Sequence, residues 1–118
     1  MAKHLETGRK GEHLAKAYLV QKGWKILELN WRFKRAEVDV IGMDGETLVF
    51  VEVKTRSSTA FGQPEEFVDE RKQQFLSDAA SAYMEAINHN WEIRFDIISV
   101  ILHEESASIT HFEDAFFS

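Results

Sequence analysis

No cysteine occurs in the 118 residues, so a disulfide framework, a thiolate zinc site and a cysteine nucleophile are all excluded. The only proline is Pro64, and there is no repeat, low-complexity tract or linker to divide the chain. No apolar run approaches the ~20 residues that a bilayer-spanning helix needs. The start, Met1-Ala2-Lys3-His4, leads into charged residues rather than an apolar stretch, so no membrane partner is expected and the cytoplasm is the default location. The five histidines include no i, i+4 pair; each reads as a surface group rather than a metal ligand.

Against these absences stands enough material for one core. Hydrophobic residues make up 44% of the chain, and nine Phe, three Trp and two Tyr supply bulk. The expectation is a single domain over residues 1–118. The net charge of −6 argues at first sight against a polyanionic partner, whose binding draws on Lys and Arg. The average conceals an asymmetry: residues 1–35 carry nine Lys/Arg against three Glu, whereas residues 36–118 carry five against seventeen acids. The basic half, with Arg9 and Lys10 in it, can serve as a phosphate track, although solvated charged faces give the same pattern.

Periodicity predicts a helix from about Gly8–Glu12 to Lys22, with Leu14, Ala15, Tyr18 and Leu19 at helical spacing, Gly23 as its stop and Glu12 in its first turn. Residues 24–34 form a β-rich stretch. Glu37–Ile41 and Thr47–Lys54 flank Gly42-Met43-Asp44-Gly45-Glu46 and read as an antiparallel hairpin. A polar segment from Thr55 to Gln63 reads as a substrate loop. Asp69 is an N-cap for an amphipathic helix reaching Asn88, Trp91 to Leu102 is a long strand, and a last strand lies near Ala107 to Phe112. The order gives an α/β fold, a central mixed β-sheet flanked by helices.

The hairpin carries the chemistry. Alternation puts Glu37, Asp39 and Ile41 on one side of their strand, and Leu48, Phe50, Glu52 and Lys54 on one side of theirs. With Asp44-Gly45 as the turn, Asp39 lies diagonal to Glu52; with Gly45-Glu46 as the turn, it faces Glu52 directly; a one-residue bulge would separate them. Two carboxylates that close repel unless a proton or cation intervenes: Lys54 is one candidate, a divalent metal another. A salt-bridged wet face is the bland alternative. It must contend with Leu48-Val49-Phe50-Val51-Glu52-Val53, which is apolar on both faces, where an isolated charge is costly.

The sequence resembles the YraN-like family of bacterial proteins almost end to end: Gly8-Arg9-Lys10-Gly11-Glu12, Gly23, Asn30-Trp31-Arg32, Glu37-Val38-Asp39-Val40-Ile41, Phe50-Val51-Glu52-Val53-Lys54-Thr55-Arg56, Phe61-Gly62, Lys72 and Arg94-Phe95-Asp96. That family is similar to the restriction-endonuclease-like superfamily, whose Asp…Glu-x-Lys signature matches Asp39, Glu52 and Lys54, and to archaeal Holliday-junction resolvases, which add a helical Glu matching Glu12. Val38 replaces the superfamily's proline, and Ala36 stands where relatives usually have glycine. The resemblance implies a restriction-endonuclease-like fold and hydrolysis of nucleic acid, DNA above all and branched DNA among its forms. It implies Mg²⁺ or Mn²⁺ on Asp39, Glu52 and the Val53 carbonyl, Lys54 assisting the attacking water, and Glu12 completing the site. Without the resemblance, Glu12 reads as a charge at the positive end of its helix.

Arg56 is a phosphate candidate beyond Lys54. Lys72 and Gln73 can touch phosphate or the attacking water, or form a solvated helix face. Glu37 is a reserve metal ligand, and Arg94 and Asp96 read as a structural pair. Resolvase-like proteins often act as dimers, so the resemblance admits a homodimer. Two rival readings are a non-catalytic nucleic-acid-binding accessory protein, and an interaction subunit using the acidic half or an exposed Phe116-Phe117 end.

Overall fold

A computed structural model describes residues 2–57 and 69–116, with side chains from residue 8 onward. In chain order it contains α1 (Ala2–Gln21), β1 (Lys25–Phe33), β2 (Ala36–Asp44), β3 (Thr47–Arg56), α2 (Glu70–Ala86), β4 (Ile93–Leu102) and β5 (Ala107–Phe112). The strands form one sheet in sequence order. Only β3 and β4 pair in parallel, because α2 lies between them in the chain and carries it back; the other neighbours are antiparallel. The described residues give the expected α/β architecture, a mixed five-stranded sheet with two helices, consistent with a restriction-endonuclease-like fold. No helix among the described residues is long and apolar enough to cross a membrane.

The two helices take opposite faces. Ala15 and Leu19 of α1 pack with Trp24, Val40, Val49, Val51, Val53, Ile98 and Val100. Leu76, Ala79, Ala80 and Tyr83 of α2 pack with Ala36, Val38, Ile41, Leu48, Phe50, Phe95 and Ile97. The doubly apolar run of β3 is explained by this: it is central and covered on both sides.

The start of α1 departs from expectation, since the helix begins near Ala2 and runs through both Gly8 and Gly11. Gly11 is a packing residue rather than a turn. A Cβ there would stand 1.8 Å from Thr55 Oγ1 and 2.7 Å from Thr55 Cβ, so only glycine lets α1 lie this close to β3. Overpacking of about 1–3 kcal/mol should outweigh the gain of ~1 kcal/mol from removing a helical glycine. Gly11→Ala is therefore expected to lower the melting temperature, and Thr55→Gly in the same chain to restore part of it; a melting scan of the three variants decides. The far end of α1 follows its sequence. Gly23, at φ +96°, donates to the Val20 carbonyl at 3.0 Å, and Trp24 donates to that of Leu19 at 3.0 Å, the paired bonds of a Schellman cap.

The β2–β3 hairpin closes on Gly45-Glu46, with Asp44 opposite Thr47 and Gly45 at φ +64°. β3 runs on to Arg56, where a loop was expected, because parallel pairing continues to Arg56 opposite Ile101. The rest of that loop, with Phe61 and Gly62, lies outside the described residues, as does Phe117. Phe116 is buried against Phe95, their ring centroids 5.3 Å apart, so it is not the exposed contact expected of the chain's end.

Two histidines are also not surface groups. His89 is buried and its Nε2 lies 2.8 Å from the Glu92 carbonyl. His111 sits in a polar cluster around Asp96, which is wholly buried. Asp96 accepts from Arg94 Nε at 2.9 Å and Nη2 at 3.0 Å, from the Asp114 amide at 3.0 Å and from His111 Nε2 at 2.7 Å. Lys22 can only donate, and its Nζ lies 3.2 Å from His111 Nδ1, so that nitrogen accepts and the ring proton sits on Nε2, toward Asp96.

Candidate functional site

The site forms where β2 and β3 part. Their regular pairing ends at Val40 opposite Val51, one residue short of Asp39 and Glu52. Side-chain alternation slips at the same place: Val38 and Ile41 both join the core under α2, while Val40 joins the core under α1. On the other side of β2, β1 is irregular too, with a bulge between Ile26 and Glu28 and Asn30 at φ +52°. Asp39 is thereby released from the ladder. Its Oδ2 reaches across the gap and accepts the Val53 amide at 2.7 Å.

The carboxylates consequently do not stand side by side on one regular face, as alternation alone suggested. Asp39 lines a cleft of about 240 Å³ on the α1 side with Arg9, Glu12, His13, Lys16, Leu29 and Asn30. Glu52 follows Leu48 and Phe50 toward α2, where its side chain is almost fully buried. The fork joins the two sides. Burial, and then the charge of Glu52, push the Asp39 carboxyl up to about 7, with Glu12 and Glu37 adding to the repulsion and the Val53 amide opposing it. Glu12 is raised as well, by burial first, then Glu37 and Glu52, against a hydrogen bond from Asn30. Glu12 lies well past the first turn of α1, so the charge-at-the-helix-end explanation no longer applies to it.

Lys54 and Lys72 meet on one oxygen of Glu52, its Oε2; Lys54 Nζ is 3.3 Å away, and Lys72 is hydrogen-bonded to the same atom. The two ammonium groups respond differently. Burial and the neighbouring Lys72 lower the Lys54 pKa despite Glu52. For Lys72 burial also acts downward, yet the bond and attraction to Glu52 outweigh it and the pKa rises. Lys72 is delivered by the N-cap of α2: Asp69 accepts the Lys72 amide at 2.8 Å and fixes where the helix begins.

The other sequence-predicted residues are distributed unevenly. Arg9 lines the Asp39 cleft, but Lys10 turns toward a separate cleft bordered by Leu14, Glu104, Glu105, Ser106 and Ala107. Arg56 ends β3, half-buried, and Gln73 is half-buried in the first turn of α2. Glu37 is exposed and pairs with Arg32 at 3.5 Å, contributing charge to the site rather than position. Asn30, His13 and Lys16 had not been singled out for the site. The spacing 9, 12, 13, 16 marks one face of a helix and was available as a signal; Asn30 was visible only as part of a motif.

Among the described residues no group of three or more His, Asp or Glu side chains forms a ready metal cage. A hard divalent cation asks for less, commonly one or two carboxylates with water making up the rest. Asp39, Glu52 and a backbone carbonyl at Val53 are oxygen donors of the right class. The raised Asp39 and Glu12 carboxyls are groups whose repulsion a cation would relieve. The donor set fits such an ion.

Several relatives align with nearly the whole chain. Residues 11–100 match the model of the uncharacterised protein family UPF0102. A UPF0102 protein of Christiangramia forsetii is 48% identical over 117 residues, 99% of this chain and 98% of the relative. One from Flavobacterium psychrophilum is 47% identical over 117 residues, covering 99% and 98%. One from Parabacteroides distasonis is 41% identical over 118 residues, covering 100% and 98%. With a family match over most of the chain and relatives aligned end to end, the chain belongs to UPF0102, the YraN family, a family of nuclease-like fold.

Proposed function

We propose that this protein is a metal-dependent nuclease that hydrolyses nucleic-acid phosphodiesters, DNA above all. The observation that carries the reading is the fork between β2 and β3, where Asp39 bonds the Val53 amide next to the Glu52–Lys54 pair, feels the charges of Glu52 and Glu12, and is pushed up to about 7. Asp39 and Glu12 line one cleft, half-buried, and both carboxyls are pushed up by burial and by neighbouring acids, which is how acids that await a cation or substrate are held.

Asp39, Glu52 and the Val53 carbonyl would hold Mg²⁺ or Mn²⁺, which when bound neutralises phosphate charge and acidifies the attacking water. The Val53 amide fixes the Asp39 carboxylate so that it faces the site in one orientation. Lys54, anchored on Glu52 and with its pKa lowered by burial, orients the attacking water and meets the charge that develops on the phosphate. Lys72, which keeps its proton more firmly, stays as a fixed positive charge beside them. Arg9 and Lys16 border the same cleft and suit the phosphates on either side.

The test is a cleavage assay on branched, single-stranded and duplex DNA with Mg²⁺ or Mn²⁺. Cutting of at least one substrate, abolished by EDTA, is expected; no cutting of any by the wild-type protein under either metal overturns the reading. One observation favours the non-catalytic alternative, a nucleic-acid-binding accessory protein: Glu52 is already neutralised by two lysines. Salt-sensitive binding without cleavage would select it.

A further inference from the structure

A second cleft of about 240 Å³ lies on the α2 side, lined by Phe33, Lys34, Arg35, Ala36, Phe75 and Asp78. It adjoins the candidate site without belonging to it. Phe75 is one helical turn beyond Lys72, and Ala36 is three residues before Asp39, so a strand crossing the site reaches the cleft within about 10 Å.

Its chemistry is particular. Phe33 and Phe75 are half-buried, each presenting part of a ring, and each ring carries a cation: Lys34 Nζ lies 5.2 Å from the Phe33 centroid and the Arg71 guanidinium 5.6 Å from that of Phe75. Lys34, Arg35 and Arg71 are exposed and occupy the β1–β2 turn and the first turn of α2. Lys34 is at φ +55°, which aims this turn. Asp78 complicates a purely anionic ligand, since a carboxylate on the lining repels a phosphate seated in the cleft. It accepts hydrogen bonds, as the exocyclic amino groups of bases require. Two rings with a carboxylate acceptor and cations on the same lining match a base on the rings, its amino group on the free oxygen of Asp78, whose other oxygen accepts from Gln74, and its phosphates on the cations. The volume falls below the ~300 Å³ at which drug-sized pockets begin, and suits one ring system rather than a long ligand.

We propose that this cleft is a nucleobase subsite, in which an unpaired base of the substrate strand stacks on Phe33 and Phe75 while Lys34, Arg35 and Arg71 hold the flanking phosphates. The proposal rests on the nucleic-acid reading above and deepens it. A fully paired duplex cannot fill the cleft without extruding a base, whereas a bulge, gap or single strand fills it directly.

The experiment uses the full chain and a duplex with a single bulged 2-aminopurine, compared with the same duplex fully paired, with divalent metal withheld so that nothing is cut. The wild-type protein is expected to quench 2-aminopurine and to bind the bulged duplex about tenfold more tightly than the paired one. Phe75→Leu and Phe33→Leu, which keep apolar bulk but remove the ring, should abolish the quenching and bring the ratio close to one. Arg71→Gln, on an exposed position that leaves the core intact, should weaken binding of the bulged duplex and its salt dependence. Unchanged quenching and ratio in folded Leu variants overturn the subsite, as does a changed oligomeric state in those variants, which would give the groove to a second copy of the chain. Quenching without cleavage under any metal would retire the nuclease reading and leave the subsite standing; cleavage with an unchanged ratio would do the reverse.

Discussion

Asp39→Asn is expected to reduce metal-dependent cleavage by at least about 10²–10³-fold, the range seen when one preorganised electrostatic group is removed from a site, and at the same time to make the metal-free protein more stable at neutral pH. The two effects share a cause. The side-chain amide introduced by the substitution retains an oxygen able to accept the Val53 amide, so the backbone contact at the fork survives while the charge disappears.

The sign of the stability effect follows from the direction of the shift. The Asp39 carboxyl loses its proton near pH 3.9 in the unfolded chain but only at about 7 in the folded one, with burial and then Glu52 as the causes. Between those values the native state binds the extra proton, so stability is highest below the lower value, falls as pH rises to about 7, and is flat above it. The charged acid should therefore destabilise the metal-free protein at pH 8 by about 1–3 kcal/mol, less than the full linkage value because Glu52, Glu12 and Glu37 relax with it. Melting temperatures in EDTA at pH 5 and pH 8 check this. The wild type should lose stability over that interval and Asp39→Asn should lose much less. Mn²⁺ should raise the wild-type melting temperature at pH 8 and leave the variant's almost unmoved. A variant that cleaves like the wild type, or a wild type indifferent to Mn²⁺, removes the catalytic role of Asp39.

How much of this was readable beforehand depends on the kind of signal. Among the described residues, helical spacing located both helices, β-rich composition and the hairpin's turn signal located β1 to β3, and Asp69 as an N-cap placed the first turn of α2 correctly. Gly8 and Gly11 misled. As local signals they mark a turn, but Gly11 answers to Thr55, forty-four residues away in sequence, and no local pattern contains that contact. Asp39 shows the same limit at the site. Alternation predicts a shared face with Glu52, and the slip that instead aims Asp39 at the Val53 amide arises from irregularity in two neighbouring strands. Residue types at the site were legible from charge in an apolar strand. Their mutual geometry was set by tertiary pairing, and so was the burial of His111, whose partner Asp96 lies on the adjacent strand.

That buried pair carries the largest stability effect. Asp96 is wholly enclosed and accepts from Arg94, His111 and the Asp114 amide, tying β4 to β5 and to the segment that follows it. Arg94 extends the tie to Asp44 on β2 at 3.1 Å. Truncation by Asp96→Ala leaves an imidazole N–H and a backbone N–H without their acceptor and the guanidinium with the more exposed Asp44 and Glu113. The penalty for breaking a buried pair from one side is about 3–5 kcal/mol, a large part of the roughly 5–15 kcal/mol that holds a domain of this size together. A fall in melting temperature on the order of 10–20 °C is expected. The pH dependence separates this from mere loss of volume. Burial works to raise the Asp96 pKa, but bonds from His111, Arg94 and Asp114 outweigh it and hold the carboxyl below its ordinary value. Its stabilisation is therefore present above the unfolded-state value near pH 3.9 and lost as pH falls through the lower folded value. Acid unfolding of the wild type should be steeper below pH 4 than that of Asp96→Ala, so that the two stability curves converge toward low pH. Parallel curves would mean that Asp96 acts by packing alone, and that the charges around it contribute nothing to holding β5 on the sheet.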